Sequence, residues 1–483
     1  NLEDERGMSI DFPLFLWYNK CMIFETIKQV ALGHGSKTAL VCKDKQYTYS
    51  ELIESVEKLA AILSTAVRPD ESILFASKKE YHYVRMVLAC DILGITFIPT
   101  HANLPEDVLS ETIDACNPDH IIMSEEDALA LEPHEKGLIY SKNVNSIYTV
   151  LFTSGTNGNP SAVTHSTASC MLGCLHSISI HELCSDDVIL SQLPPSTIAG
   201  LYLYALPGLM KGATVITEQF EPRRYIELCN TWKPTIGTTV PAMILALQKL
   251  RKWKDYSMSH YRQLSIGSTA ITNEVIDILF DKGVPLVRHL YGCTETHVPA
   301  LTYLIEPDTK HKLQLTVTEF FEHKLDRYGV LWLKGPTVTK RYLNSEATVI
   351  DAEGYWCTGD VFSFKHNELT FKTRAKDLIK INSFNVSPLA VENAILTCEG
   401  VDEVCVTYRE RGLGEKELVA VIKSTDSGMN KYKVTEHIKK KLMHYELPKD
   451  VIIVTEGLPR NAMGKIKRHI VKDILHREEL NEI

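Results

Sequence analysis

The feature that most constrains this 483-residue chain is an alternation that runs across its first three hundred positions: short β-branched runs separated by stretches with helical apolar spacing. Residues 38–42 and 46–49 read as hairpin arms around Lys43-Asp-Lys45, and Ser50 is placed to cap a helix carrying Leu52, Val56, Leu59 and Leu63. Strand signals recur at 72–76, 95–99, 120–123 and 147–152, with a helix over 81–93 and another marked by Met171, Cys174, Leu175 and Ile178. The pattern starts again at 188–190 and continues through 214–217, 236–240 and 264–266, with a helix expected over 202–210 and one near Tyr225. Such alternation predicts parallel sheets covered by helices, and two doubly wound sheets are the simplest account. Residues 328–354 turn β-rich, as a small β-barrel or twisted sheet would. A boundary is expected at 373–376, with hairpin arms at 368–372 and 378–381 on either side and a unit of about 110 residues beyond it. Asn1 to Gly7, ahead of Met8, are polar and acidic and do not enter the fold reading.

Ligands of open α/β sheets bind beyond the carboxyl ends of strands. The strand at 147–152 ends in Thr153, Ser154, Gly155, Thr156, Asn157 and Gly158. Glycines there permit positive φ, so that successive N–H groups converge on an anion, and hydroxyls add donors to phosphate oxygens or to a metal's water shell. The segment then runs Gly158-Asn-Pro-Ser161, without the lysine of the Gly-Lys-Ser/Thr phosphate loop. A solvated turn after a strand is the competing reading of this stretch taken alone.

A net charge of -9 argues against general nucleic-acid binding, which needs excess Lys and Arg. Twelve cysteines without a Cys-x-x-Cys pair indicate neither a zinc ribbon nor a disulfide framework, and reduced thiols point to a cytoplasmic location. No run approaches the ~18 apolar residues of a membrane helix.

Four later segments join the loop: Tyr291-Gly-Cys-Thr-Glu295, Tyr355-Trp-Cys-Thr-Gly-Asp360, Arg374-Ala-Lys-Asp-Leu-Ile-Lys380 and Pro459-Arg-Asn-Ala-Met-Gly-Lys-Ile-Lys-Arg468. Together the five motifs, spread over residues 24–470, resemble the adenylate-forming enzyme superfamily of acyl-CoA synthetases, carrier-loading adenylation domains and firefly-type luciferases. The resemblance implies a large N-terminal domain (8–373) of two doubly wound sheets plus a small β-barrel, and a smaller mobile α+β C-terminal domain (374–483) that rotates between two half-reactions, with Lys376 at the pivot. It implies ATP, Mg2+ and either coenzyme A or the phosphopantetheine of an acyl carrier protein as cofactors and partners, and a small-molecule carboxylic acid as substrate.

Site roles follow residue by residue from that resemblance. The 153–158 loop, Tyr291, Gly292 and Thr294 surround the nucleotide, with Tyr291 against adenine. Glu295, with Thr156, faces magnesium, a hard cation suited to carboxylate and hydroxyl oxygens. Asp360 accepts the ribose hydroxyls and Arg374 lies near ribose or phosphates. Lys465 is carried in by the small domain to bridge the carboxylate and the α-phosphate, and Lys380 faces the site in the second orientation. No protein nucleophile is required, so Cys293 and Cys357 read as small fillers. The lysines 431, 433, 439, 440, 441 and 449 suit either the coenzyme A nucleotide, an acidic carrier helix or a solvated helix face.

The chain departs from the family pattern at Ser161-Ala162, which stands where Lys-Gly is usual, at Thr197 in place of a gating His, at Thr373 before Arg374, and at Ser383, where glycine usually lines the pantetheine tunnel. Residues 194–204 contain no acid to pair with a substrate ammonium, which disfavours α-amino acids and favours an apolar aryl or aliphatic carboxylic acid. A degenerate nucleotide-binding homologue and a luciferase-like oxidase are the alternatives.

Overall fold

A computed structural model describes residues 23–124, 127, 145–153, 161–269, 271–343, 345, 348–381, 384–411, 415–460 and 466–481. The chain divides into two compact units, one of residues up to 323 together with 333–356, the other of 324–332 together with 357 onward.

In the first unit, β1 (Thr38–Cys42) and β2 (Lys45–Thr48) form a hairpin, followed by β3 (Ser72–Phe75), β4 (Thr96–Pro99), β5 (His120–Ile122), β6 (Ile147–Thr153) and β7 (Ser161–Ser166). Next come β8 (Val188–Ser191), β9 (Thr214–Thr217), β10 (Ile236–Thr239), β11 (Gln263–Ile266), β12 (Val287–Tyr291), β13 (Leu301–Ile305) and β14 (Thr316–Val317). Two sheets result, in the orders β5-β3-β4-β6-β7 and β14-β13-β12-β11-β10-β8-β9-β1-β2. The five-stranded sheet is parallel except at its β7 edge, and the nine-stranded sheet has a parallel centre with antiparallel pairing at both edges. The expected pair of wound sheets is present, with one reassignment. The β1–β2 hairpin does not join the sheet of its sequence neighbours but pairs through Leu40 with Val215 of β9.

The helix Tyr49–Leu63 buries Leu52, Val56, Leu59 and Leu63 in one stripe, as their spacing requires. Its cap is Thr48, not Ser50. Thr48 Oγ1 accepts from Glu51 N–H at 3.2 Å while Glu51 Oε2 accepts from Thr48 N–H at 2.8 Å, and this reciprocal box satisfies two end groups where a single serine would satisfy one. The expected helix over 202–210 has two parts, a π turn Leu201–Ala205 and an α segment Leu206–Met210. Pro207 has no N–H for the carbonyl of Leu203, and the Ser177 hydroxyl donates to that carbonyl instead.

In the second unit, β17 (Trp356–Lys365) and β18 (Glu368–Arg374) belong to a four-stranded sheet whose other members are β15 (Glu322–Leu325) and β16 (Val330–Lys334). The expected hairpin between 368–372 and 378–381 does not form. β18 pairs antiparallel with β17, and β19 (Ile379–Ile381) pairs with β20 (Phe384–Val386). The reason is register: β18 returns directly on β17 through the tight turn at His366 and Asn367, both at positive φ, which leaves β19 to pair with the next strand. Three further strands, β21 (Glu403–Arg411), β22 (Glu415–Lys423) and β23 (Asp450–Val454), pack with the helices Pro388–Leu396 and Lys431–Ile438 on a core of Val391, Ile395, Val406, Ala420 and Val434. No helix among the described residues is long and apolar enough to cross a membrane.

Candidate active site

The hydroxyl- and glycine-rich segment connects two strands of one hairpin. β6 ends at Thr153 and β7 begins at Ser161, and these two residues are paired in register, so the loop between them is closed at its base by backbone pairing. Ser154, Gly155, Thr156, Asn157 and Gly158 lie outside the described residues. β7 has no counterpart in the sequence reading, because Ser161-Ala-Val-Thr-His-Ser166 is short and polar at both ends.

At the carboxyl end of β12, Tyr291 is followed by Gly292, where a Cβ would come within 2.8 Å of the Val298 carbonyl; only glycine lets the chain turn this closely. A single 3-10 turn, Thr294–Thr296, then packs against both β6 and β7. Its backbone is held at every residue. His165 Nε2 donates to the Thr294 carbonyl at 2.7 Å, Thr339 N–H to the Glu295 carbonyl at 2.8 Å, and Thr337 Oγ1 to the Thr296 carbonyl at 2.8 Å. A carbonyl only accepts, so His165 carries its proton on Nε2, and burial holds the imidazole neutral, pushing its pKa down to about 4. The Glu295 carboxylate is half-buried, and Tyr342 Oη donates to its Oε1 at 3.3 Å. Burial, and then the Glu295 charge, push the Tyr342 phenol up to about 12, so it remains a donor. His165, Thr337, Thr339 and Tyr342 carry no local sequence signal of this role.

A single carboxylate on a turn packed against β6 and β7 is a donor of the kind magnesium uses, since that ion is usually held by one or two carboxylates together with substrate phosphates. Among the described residues no group of three or more His, Cys, Asp or Glu forms a self-sufficient metal site. Thr197 does not stand free as a gate: its Oγ1 donates to the Pro194 carbonyl at 2.7 Å and accepts from Gly200 N–H at 3.3 Å, capping the turn that follows. Leu201, Tyr202, Leu203 and Tyr204, which follow it, are buried.

In the second unit Asp360 and Arg374 are opposite each other in the β17–β18 register, and Arg374 Nε lies 3.1 Å from Asp360 Oδ1. Asp360 is buried, and Gly359 before it takes φ +69, the left-handed turn that sets the carboxylate's direction. Thr373, on the same strand, is buried. Lys376 and Lys380 are exposed. Lys465 and Ser383 lie outside the described residues; Arg460 and Ile466 pair in an antiparallel bridge. Of the lysine cluster, Lys431, Lys433 and Lys439 already pair with Asp450, Asp426 and Glu436.

Two wound sheets, and a turn carrying Glu295 packed on both strands that bracket the hydroxyl- and glycine-rich segment, are the features expected of an adenylate-forming enzyme. The AMP-binding enzyme model matches residues 27–144 and 138–343, the AMP-binding enzyme C-terminal domain model matches residues 390–465, and the chain belongs to this family. It is 24% identical to an indoleacetate–CoA ligase of Aromatoleum aromaticum, over 92% of this chain and 96% of that protein. It is 26% identical to a 2-succinylbenzoate–CoA ligase of Listeria innocua, over 92% and 98% respectively. The O-succinylbenzoate coenzyme A synthetase of Bacillus subtilis, solved with ATP and a magnesium ion, superposes with a TM-score of 0.80 at 22% identity, covering 92% of this chain and 99% of that one.

Proposed function

We propose that this enzyme is an AMP-forming acid–thiol ligase that activates a carboxylic acid with an apolar aryl or aliphatic body and passes it to coenzyme A. The acid's carboxylate attacks the α-phosphorus of ATP, the Pα–O bond to pyrophosphate breaks, and an acyl-adenylate forms. The thiolate of coenzyme A then attacks the acyl carbonyl, the C–O bond to AMP breaks, and AMP leaves with the electron pair.

The observation that carries this reading is the Thr294–Thr296 turn, held by His165, Thr337, Thr339 and Tyr342 against both arms of the loop hairpin. That turn keeps one carboxylate against the two strands that bracket a sequence segment able to bind phosphates. Magnesium, when bound there, neutralises phosphate charge. The loop amides and hydroxyls of residues 153–158 orient the phosphates, Tyr291, Gly292 and Thr294 border the nucleotide, and Asp360 and Arg374 take the ribose. Lys465 meets the charge that develops at the α-phosphorus, brought there by movement of a small domain beginning near Arg374, with Lys376 at its pivot and Lys380 serving the second orientation. Donors placed where charge develops give the largest single contribution to such catalysis. Ser161 opens β7 where a lysine is usual, so neutralisation of the leaving pyrophosphate falls to the loop donors. The absence of acid in residues 194–204, with Leu201 to Tyr204 buried behind them, supports an apolar acid.

The test is ATP–pyrophosphate exchange across aryl, aliphatic and amino acids, repeated as a thioester assay with coenzyme A. Exchange supported by aryl or aliphatic acids, and thioester formed on addition of coenzyme A, is expected. Exchange confined to α-amino acids, or no thioester until a phosphopantetheinylated carrier protein is supplied, overturns the acid and acceptor assignments respectively.

A further inference from the structure

The segment 337–343 does two things at once. Along β7 it is tied by a bridge between Val163 and Tyr342, by Leu343 N–H donating to the Ala162 carbonyl at 2.8 Å, and by Thr164 and Arg341, Thr164 Oγ1 donating to the Arg341 carbonyl at 2.9 Å. On the other side it reaches the Thr294–Thr296 turn through Thr339 N–H and the Glu295 carbonyl. Tyr342 completes the arrangement: its backbone lies on the strand that leaves the phosphate loop, and its hydroxyl donates to the Glu295 carboxylate.

We infer that Tyr342 is a positioning residue for the metal-facing carboxylate, coupling the orientation of Glu295 to the strand on which the phosphate loop is anchored. The inference rests on the reading of Glu295 as the magnesium donor. A free glutamate side chain populates many rotamers, and ordering it on metal binding costs free energy. A donor fixed on Oε1 removes part of that cost beforehand and aims the remaining lone pairs. Hydrogen-bond partners that orient a metal ligand in this way typically change metal affinity or activity by about 10- to 100-fold when removed.

The experiment is calorimetry of ATP binding to the full-length enzyme, in magnesium and in EDTA, for wild type, Tyr342→Phe and Glu295→Gln. The Phe variant keeps the ring and its packing and removes only the donor. Expected for Tyr342→Phe is a Kd for ATP raised about 10-fold in magnesium and unchanged in EDTA. In ATP–pyrophosphate exchange, its half-saturating magnesium rises while kcat at saturating magnesium stays close to wild type. An equal change in EDTA and in magnesium, or none in either, overturns the positioning role. Glu295→Gln separates the two layers. If it too leaves the magnesium dependence unaltered, the metal reading of Glu295 fails; if it weakens that dependence and Tyr342→Phe does not, only the present inference fails.

Discussion

Lowering the pH is expected to unfold the larger unit through its buried histidines. His165, His181, His289 and His297 are all nearly or fully inaccessible. Burial lowers each pKa, to about 4 for His165 and His289, to about 3 for His181, and well below the ordinary 6.5 for His297. His181 shows why protonation is resisted: Nδ1 lies 2.9 Å from the Ser177 carbonyl, and Nε2 faces two hydroxyls, Ser265 at 3.1 Å and Tyr204 at 3.4 Å, and no carboxylate. A folded pKa below the unfolded one means that the unfolded chain takes the proton first. Stability is therefore complete above pH 6.5 and falls as the pH drops toward 4. One pH unit below the unfolded value, each histidine costs about 1.4 kcal/mol, and the four together about 5 to 6 kcal/mol. That is comparable to the whole net stability of a typical domain, about 5–15 kcal/mol. The assay is urea unfolding at about pH 7.5 and about pH 5.5, followed by the fluorescence of Trp232 and Trp253, which belong to this unit. A midpoint that falls steeply at the lower pH with an unchanged slope is expected. Equal or greater stability at the lower pH refutes the argument that these rings are buried neutral.

Other substitutions separate the site from the scaffold. Lys465→Ala should lower ATP–pyrophosphate exchange by at least about 100-fold while nucleotide binding, measured by calorimetry, persists. Asp360→Ala should raise the Kd for AMP by about 10- to 150-fold, the equivalent of the ~1.5–3 kcal/mol carried by hydrogen bonds to a charged group; unaltered affinity removes the ribose assignment. Arg262→Ala leaves the buried Asp187 without the guanidinium that bonds it twice at 2.9 Å, and should cost about 3 kcal/mol or more in urea unfolding. A loss below about 1 kcal/mol would class the pair with ordinary surface contacts.

The elements legible from sequence are those whose signal is local. Ile147–Thr153 is a run of β-branched and aromatic residues, and Tyr49–Leu63 has an apolar stripe at helical spacing, so both emerge from periodicity alone. What was not legible depends on distant partners. Nothing within Thr38–Thr48 says that its strand pairs with Val215, because register between remote strands is set by the completed sheet. Likewise Glu295 is found by its motif, whereas the groups that hold it, His165 and Tyr342, come from 130 positions before it and 47 after it, and meet it only in the folded chain. The turn at His366 and Asn367 was equally hidden, since neither residue announces a hairpin as glycine would.

The central claim, attack by a substrate carboxylate on the α-phosphorus of ATP, is tested most directly by following an oxygen atom. The enzyme would be supplied with an acid labelled with heavy oxygen in its carboxylate, ATP, magnesium and coenzyme A, and the released AMP weighed by mass spectrometry. AMP carrying one heavy oxygen from the acid is the predicted result. Unlabelled AMP, or label appearing in inorganic phosphate alongside ADP, would contradict it.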